Sequence, residues 1–151
     1  MPYLRIYVLI CYGTWMLRHR LPALVLVIAL VAAACGGDES ATTGVRVVSP
    51  NTAAEIHENP PEGLIVLDVR TAEEFAEGHL DGAIMIDFYG ADFTDRLAEL
   101  DRDRPYLLYC RSGNRSSQAR QIMIDLGFTD VADIDGGILA WTQAGLPLTT
   151  T

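Results

Sequence analysis

Short apolar segments alternate with stretches of helical periodicity from residue 45 to the end of this chain of 151 residues. The segment "LIVLDV" at 64–69 is a continuous apolar run of the kind that lies buried on both faces of a parallel sheet. The clearest helical stretch comes later, where Ala119, Ile122, Met123 and Leu126 recur on one face. Strands that alternate with helices in this way predict an α/β fold with helices on both faces of one sheet.

The remaining elements follow from the same periodicities and from helix caps. Ser49 before Pro50 is typical of an N-cap and a first helical residue, and Thr71 with Glu74 has the pattern of a capping box. Five strands are therefore expected in a mostly parallel sheet. They are 45–48, 64–69, 83–86, 106–110 and 131–134, and the other predicted helices are 51–59, 72–78, 93–100 and 137–145.

The first 34 residues have the order of parts of a secretory signal peptide. A basic cluster at 18–20 precedes an apolar run at 21–34, and small residues lead to Cys35. That run is shorter than the roughly 20 residues that a membrane-spanning helix needs. The signal peptide is therefore predicted at 1–34, with Met16 as a candidate true start. A longer leader or a membrane hairpin is the alternative interpretation of the first 15 residues.

Cys35 lies between "AAA" and "GGDES", a pattern that resembles the lipobox of bacterial lipoproteins, although Leu is usual where Ala32 stands. The resemblance implies lipidation of Cys35, a flexible tether at 35–44 and a folded domain at 45–149. It places the protein at the outer face of the bacterial cytoplasmic membrane or in the periplasm, with the membrane as a partner through the lipid. Simple cleavage after Ala34, without a lipid, is the alternative.

The part that follows the leader is strongly acidic. All 20 acidic residues and 8 of the 11 arginines lie beyond Cys35, which gives this part a formal charge of −12. Such a charge repels nucleic acid, so no nucleic-acid partner is predicted. His57 and His79 have no metal-ligand spacing with each other or with Cys110, and neither a metal site nor a cofactor is expected.

Cys110 is the one cysteine that remains after the leader and Cys35 are set aside. A lone thiol in an exported domain indicates a reactive role or a partner. Cys110 ends a predicted strand, and ligands of parallel α/β sheets bind outside the carboxyl ends of the strands. The loop that follows contains Gly113 and leads into a helix, so its N–H groups are expected to form an anion cradle that favours the thiolate. Arg111 and Arg115 add positive charge, so the thiolate is expected to attack an electrophilic atom carried by an anion.

The segment "CRSGNRS" at 110–116 resembles the active-site loop of rhodanese-family sulfurtransferases. Three further segments resemble family signatures in the same order, namely "LDVR" at 67–70, "EEFAEGHLDGAIMID" at 73–87 and "GGILAW" at 136–141. The resemblance implies the rhodanese-like α/β fold.

It also implies a persulfide mechanism. Cys110 would be the catalytic residue that takes a sulfane sulfur from thiosulfate or a related small anionic donor and passes it to a thiol, sulfite or cyanide. The residues implied in substrate binding are those of the loop, Arg111, Ser112, Gly113, Asn114, Arg115 and Ser116.

Several other residues have weaker expectations. Asp68 and Arg70 are expected to hold the sheet edge and the neighbouring loop together, with support of the site from behind as the alternative. Phe88 and Tyr89 are expected to lie at the rim of the site. Trp141 is expected to be a packing anchor for the last helix, and Glu74 a capping carboxylate. Asp133 and Asp135 are expected to form a solvated turn.

Two other functions stay open at this point. A cysteine-dependent phosphatase would carry C-x5-R, whereas Cys110 and Arg115 form C-x4-R. A binding or redox-sensing module would keep the fold and use Cys110 without transferring sulfur.

Overall fold

The computed structural model describes residues 44–150, in which five strands and five helices alternate. The predicted leader, Cys35 and the tether up to residue 43 lie outside the described residues. Within residues 44–150, no helix is long and apolar enough to cross a bilayer. The elements in chain order are β1 Val45–Val48, α1 Pro50–Glu58, β2 Ile65–Asp68, α2 Ala72–Glu77, β3 Ile84–Met85, α3 Phe93–Ala98, β4 Pro105–Tyr109, α4 Asn114–Asp125, β5 Asp130–Ile134 and α5 Gly137–Gln143.

The five strands form one sheet in the order β1-β5-β4-β2-β3, and every neighbouring pair is parallel. This confirms the predicted α/β fold. The strand expected at 83–86 is shorter than predicted, because β3 is an edge strand whose pairing with β2 covers only Ile84 and Met85. β4 occupies the centre of the sheet, so the loop that follows it begins at the middle of the carboxyl edge.

Helices cover both faces of the sheet, and each face has its own apolar core. Side chains of β4 alternate between them, as the two-residue period of a strand requires. Leu108 packs with α3 and α4 on one face, and Leu107 packs with α1 and α5 on the other. Trp141 of α5 is almost completely buried in the second core and its Nε1–H donates to the carbonyl oxygen of Pro147 at 2.9 Å, which confirms its role as a packing anchor.

Both predicted helix caps are present. The Ser49 hydroxyl accepts a hydrogen bond from Thr52 N–H at 3.2 Å at the start of α1. Thr71 and Glu74 exchange the two bonds of a capping box at the start of α2, at 3.4 and 3.1 Å. The box fixes the start of α2, whose side chains border the site described next.

Candidate active site

Cys110 follows β4 directly, and its side chain is buried on the face of the sheet that α4 covers. Gly113 N–H donates to Cys110 Sγ at 3.1 Å. Gly113 is the N-cap of α4 and adopts the left-handed conformation with φ +90°, which glycine enters without the steric cost of a Cβ. The sulfur thus lies at the N-terminus of a helix of 12 residues, where unpaired N–H groups and the helix dipole stabilise negative charge.

The first turn of α5 holds the loop, and Gly137 lets the two backbones approach closely. Ile138 N–H donates to the Cys110 carbonyl at 2.9 Å, and Leu139 N–H donates to the Arg111 carbonyl at 3.1 Å. A Cβ at Gly137 would collide with the carbonyl oxygen of Cys110, and φ at this residue is +58°. Sequence reasoning included Gly136 and Gly137 only as part of a family signature. The available signal was two adjacent glycines between a buried strand and a helix.

Ser116 and Asp133 form a buried polar layer under the start of α4. The Ser116 side chain is fully buried, and its hydroxyl donates to the Gly113 carbonyl at 3.3 Å. Asp133 is only 3% exposed, and its Oδ2 accepts a hydrogen bond from Arg120 Nε–H at 3.2 Å. Burial raises the pKa of Asp133, while Ser116 and Arg120 act in the opposite direction.

The expectation that Asp133 belongs to a solvated turn was therefore wrong. Asp133 lies inside β5, between β1 and β4, so both its neighbours and α4 exclude water from it. Asp135, which follows the strand, is exposed as expected.

Asp68 and Arg70 form a buried ion pair behind the site. Arg70 donates from Nε and Nη2 to the Asp68 carboxylate at 2.7–3.0 Å, and Nη2 also donates to the Gly78 carbonyl at 2.7 Å. The Arg70 guanidinium lies 5.6 Å from the centre of the Tyr109 ring. The pair thus joins β2 to the end of α2.

The Arg115 guanidinium is bound bidentately by Glu74. Its Nη1 and Nη2 donate to the two carboxylate oxygens at 2.7 and 2.8 Å, and this contact lowers the pKa of Glu74 to about 2. The exposed ring of Tyr89 lies 5.5 Å from the guanidinium. Glu74 is thus a capping residue, as expected, and also the anion that occupies the Arg115 fork. The sequence analysis did not predict this second role, because the two residues are 41 positions apart and no local pattern links them.

The other loop residues face solvent. Arg111, Ser112 and Asn114 are exposed, and the Asn114 side chain accepts a hydrogen bond from Gln118. Phe88 is half-buried against Phe93 of the first core.

A cavity of about 390 Å³ borders the loop on the side of α2 and α5. Its lining includes Arg111 of the loop and Arg70 behind it. The complete lining is Arg70, Glu74, Glu77, Arg111, Ile138 and Leu139.

No cluster of three or more His, Cys, Asp or Glu side chains within residues 44–150 is arranged to hold a metal ion. His57 contacts the Asp81 carbonyl oxygen at 2.8 Å, and His79 contacts the Phe75 carbonyl oxygen at 2.9 Å. Both imidazoles therefore have partners in the backbone.

The sequence from residue 50 to residue 144 matches the family model described as the rhodanese-like domain. The chain belongs to the rhodanese-like domain family. The fold agrees with this, because the chain is similar to the crystal structure of a rhodanese-related protein from Thermoplasma volcanium. The two are 31% identical with a TM-score of 0.60, and the match covers 70% of this chain and 99% of that protein.

Sulfurtransferases are among the curated relatives of this rhodanese-like chain. A sulfurtransferase of Allochromatium vinosum is 43% identical over 53 residues, which are 35% of this chain and 50% of the relative. Thiosulfate sulfurtransferase GlpE of Vibrio cholerae is 36% identical over 52 residues, which are 34% of this chain and 49% of the relative. The chain therefore spans about half the length of these relatives, and its similarity to them supports a family relationship.

Proposed function

We propose that this rhodanese-like domain is a sulfurtransferase that carries a sulfane sulfur as a persulfide on Cys110. The Cys110 thiolate attacks the sulfane sulfur of a donor such as thiosulfate. The sulfur–sulfur bond of the donor breaks, and its electron pair leaves with sulfite. An acceptor thiol, sulfite or cyanide then attacks the outer sulfur of the persulfide, and the Cys110 thiolate is regenerated. Atoms and charge balance in each step without a cofactor.

The proposal is supported by the hydrogen bond from Gly113 N–H to Cys110 Sγ at the N-terminus of α4. Negative charge is present on sulfur before the attack and again on the persulfide. The Gly113 N–H, which points at this charge, needs no reorganisation during the reaction, and preorganised donors of this kind stabilise transition states. The hydrogen bonds from Ile138 and Leu139 to the carbonyls of Cys110 and Arg111 hold the start of this loop.

The phosphatase alternative has less support from the same site. Arg115 is the loop arginine that a bound phosphate would require, and its two terminal nitrogens are bound to Glu74. The loop is also one residue shorter than the C-x5-R pattern of those phosphatases.

The proposal is tested by intact-mass spectrometry after incubation with thiosulfate and other sulfane-sulfur donors, with Cys110→Ser as the control. We expect the wild-type protein to gain the mass of one sulfur atom and to lose it again when cyanide or sulfite is added. The variant is expected to gain none. If no donor adds sulfur to Cys110, the sulfurtransferase proposal is wrong.

We also propose that lipid on Cys35 anchors the domain outside the cytoplasmic membrane. The support is the sequence pattern around Cys35. Cys35→Ser is expected to abolish labelling with a fatty-acid analogue and to release the protein from the membrane fraction. Membrane association that persists in this variant would contradict the anchor.

A further inference from the structure

Two hydrogen bonds connect α4 to Cys110 through Gly113. Gly113 N–H donates to Cys110 Sγ at 3.1 Å, and the Gly113 carbonyl oxygen accepts from the Ser116 hydroxyl at 3.3 Å. Ser117 N–H donates to the same carbonyl oxygen at 3.0 Å. Gly113 is therefore held on both sides of its Cα, and the direction of its N–H depends on the groups that hold its carbonyl.

The carboxyl group of Asp133 is incompletely paired. Its Oδ2 accepts a hydrogen bond from Arg120 Nε–H at 3.2 Å, whereas its Oδ1 is buried and has no hydrogen-bond partner within residues 44–150. The residues beside it in the sheet are Val47 of β1 and Leu108 of β4, whose side chains neither donate nor titrate. A buried carboxylate oxygen without a partner is costly, and the cost falls if the group binds a proton or receives a donor from a neighbour.

Ser116 is the neighbour on α4 that can make a hydrogen bond with the Asp133 side chain. The Ser116 side chain is completely buried, and its one proton is donated to the Gly113 carbonyl. A hydroxyl has one donor and two acceptor sites, so Ser116 can accept from a protonated Asp133 and keep its bond to Gly113. It can bind an ionised Asp133 only as a donor, and it must then leave the Gly113 carbonyl. The charged carboxylate is the stronger acceptor of the two.

We propose that Asp133 is a positioning residue for Cys110, which acts through the Ser116 hydroxyl on the Gly113 carbonyl. The protonated carboxyl donates to Ser116 Oγ and leaves the Ser116 hydroxyl on Gly113. When Asp133 loses its proton to solvent, it takes the Ser116 hydroxyl as its donor. The Gly113 carbonyl then loses this contact, and Gly113 N–H is held less firmly on the sulfur. The role concerns the Cys110 thiol itself and does not rest on the proposed sulfur transfer.

The charged groups around Asp133 decide which form it takes. Burial raises its pKa, and the negative charge of Asp135 beyond the end of β5 acts in the same direction. Ser116 and Arg120 of α4 lower it. The change between the two forms is therefore expected at a pH above the ordinary pKa of an aspartate.

The test follows two NMR signals of the full chain as the pH is raised. The carboxyl carbon of Asp133, assigned by its absence from Asp133→Asn, reports ionisation of this group. The amide proton of Gly113 reports the bond to Cys110 Sγ, and we expect it to shift with the same midpoint. In Asp133→Asn the side-chain amide N–H replaces the carboxyl O–H as the donor to Ser116, so this shift should be absent.

Two further variants separate the hydroxyl contact from an effect of charge at a distance. In Ser116→Ala, Asp133 should still titrate, while the Gly113 signal no longer follows it. Asp135→Asn is the matched control, because Asp135 is exposed, lies two positions from Asp133 and makes the same change in net charge. The Gly113 response should remain in this control.

The pKa of the Cys110 thiol shows the consequence for the site. It is measured from the Cβ carbon signal of Cys110, which is assigned by its absence from Cys110→Ser. At a pH where wild-type Asp133 is ionised and most of the thiol is protonated, Asp133→Asn should carry about two- to tenfold more thiolate than the wild-type protein, as expected for one hydrogen bond. A residue that only supports the fold would not increase the thiolate when it is replaced.

Three results would each overturn the assignment: a Gly113 signal that does not follow Asp133, a response that persists in Ser116→Ala, or no increase of thiolate in Asp133→Asn. None of them depends on whether Cys110 accepts sulfur, so the proposed function stands or falls separately.

Discussion

Replacement of Glu74 by glutamine removes the charge that binds Arg115 and keeps nearly the same side-chain volume. In the wild-type protein the two side chains make two short hydrogen bonds, at 2.7 and 2.8 Å, with side-chain exposures of 11% for Arg115 and 22% for Glu74. The variant leaves the Arg115 guanidinium, which is largely buried, without a charged partner. We expect a loss of stability larger than that of an ordinary surface ion pair.

The magnitude follows from the pKa of Glu74. Contact with Arg115 lowers this pKa from 4.5 to about 2. Since one pKa unit corresponds to about 1.36 kcal/mol, the contact stabilises the folded chain by at most about 3 kcal/mol. Partial exposure to solvent reduces the value, so about 1–2 kcal/mol is expected. For a domain of this size the corresponding fall in Tm is roughly 10 °C.

The pH dependence has a definite sign. Because the pKa of Glu74 is lower in the folded chain than in the unfolded chain, the stabilisation is complete above about pH 4.5 and is lost as the pH falls towards 2. Urea unfolding of the wild-type protein and of Glu74→Gln should therefore differ most near neutral pH and converge in acid. Glu73→Gln, at an exposed position of the same helix, is the control and should change stability much less. A difference below about 0.5 kcal/mol at neutral pH would show that this pair contributes no more than an ordinary surface ion pair.

Three other predictions concern the loop and its supports. Arg115→Ala should slow sulfur transfer from anionic and neutral donors alike, by about tenfold, because loss of this side chain disturbs the loop geometry. A loss confined to anionic donors would show instead that Arg115 contacts the donor, as the sequence alone suggests. Gly137→Ala should destabilise the domain by at least about 2 kcal/mol and reduce transfer, because its Cβ meets the Cys110 carbonyl. Thermal unfolding against Gly145→Ala, which has a positive φ but open space, isolates the collision, and equal losses in the two variants would contradict it. Asp133→Asn should not destabilise the domain at neutral pH. Burial raises the pKa of Asp133, so the stability of the wild-type protein falls as the pH rises through that raised pKa, and the variant lacks this fall. A loss of stability above about 1 kcal/mol in urea unfolding at pH 7 would contradict this prediction.

Local patterns predicted the elements of the fold and the place of Cys110 within it. Continuous apolar runs gave β2 and β4, and the caps at Ser49 and Thr71 gave the starts of α1 and α2. Parallel strands bring their carboxyl ends to one edge, so the position of Cys110 followed from the order of elements alone.

Contacts between residues distant in sequence could not be predicted in this way. Glu74 already had a local role in its cap, and nothing in the chain indicates that its carboxylate also reaches Arg115. The burial of Asp133 depends on the strands that flank β5 on both sides. The alternation of residues within β5 does not indicate which strands those are. The collision at Gly137 likewise depends on how α5 meets the loop.

We propose that Cys110 carries sulfur between a donor and an acceptor. The most direct measurement is the mass of the purified protein after a donor is added and then removed, followed by addition of cyanide or a thiol. We expect one added sulfur per chain, located on Cys110, that passes to the acceptor and is absent from Cys110→Ser. A wild-type protein that gains no sulfur from any donor, or a Cys110→Ser variant that transfers sulfur normally, would contradict it.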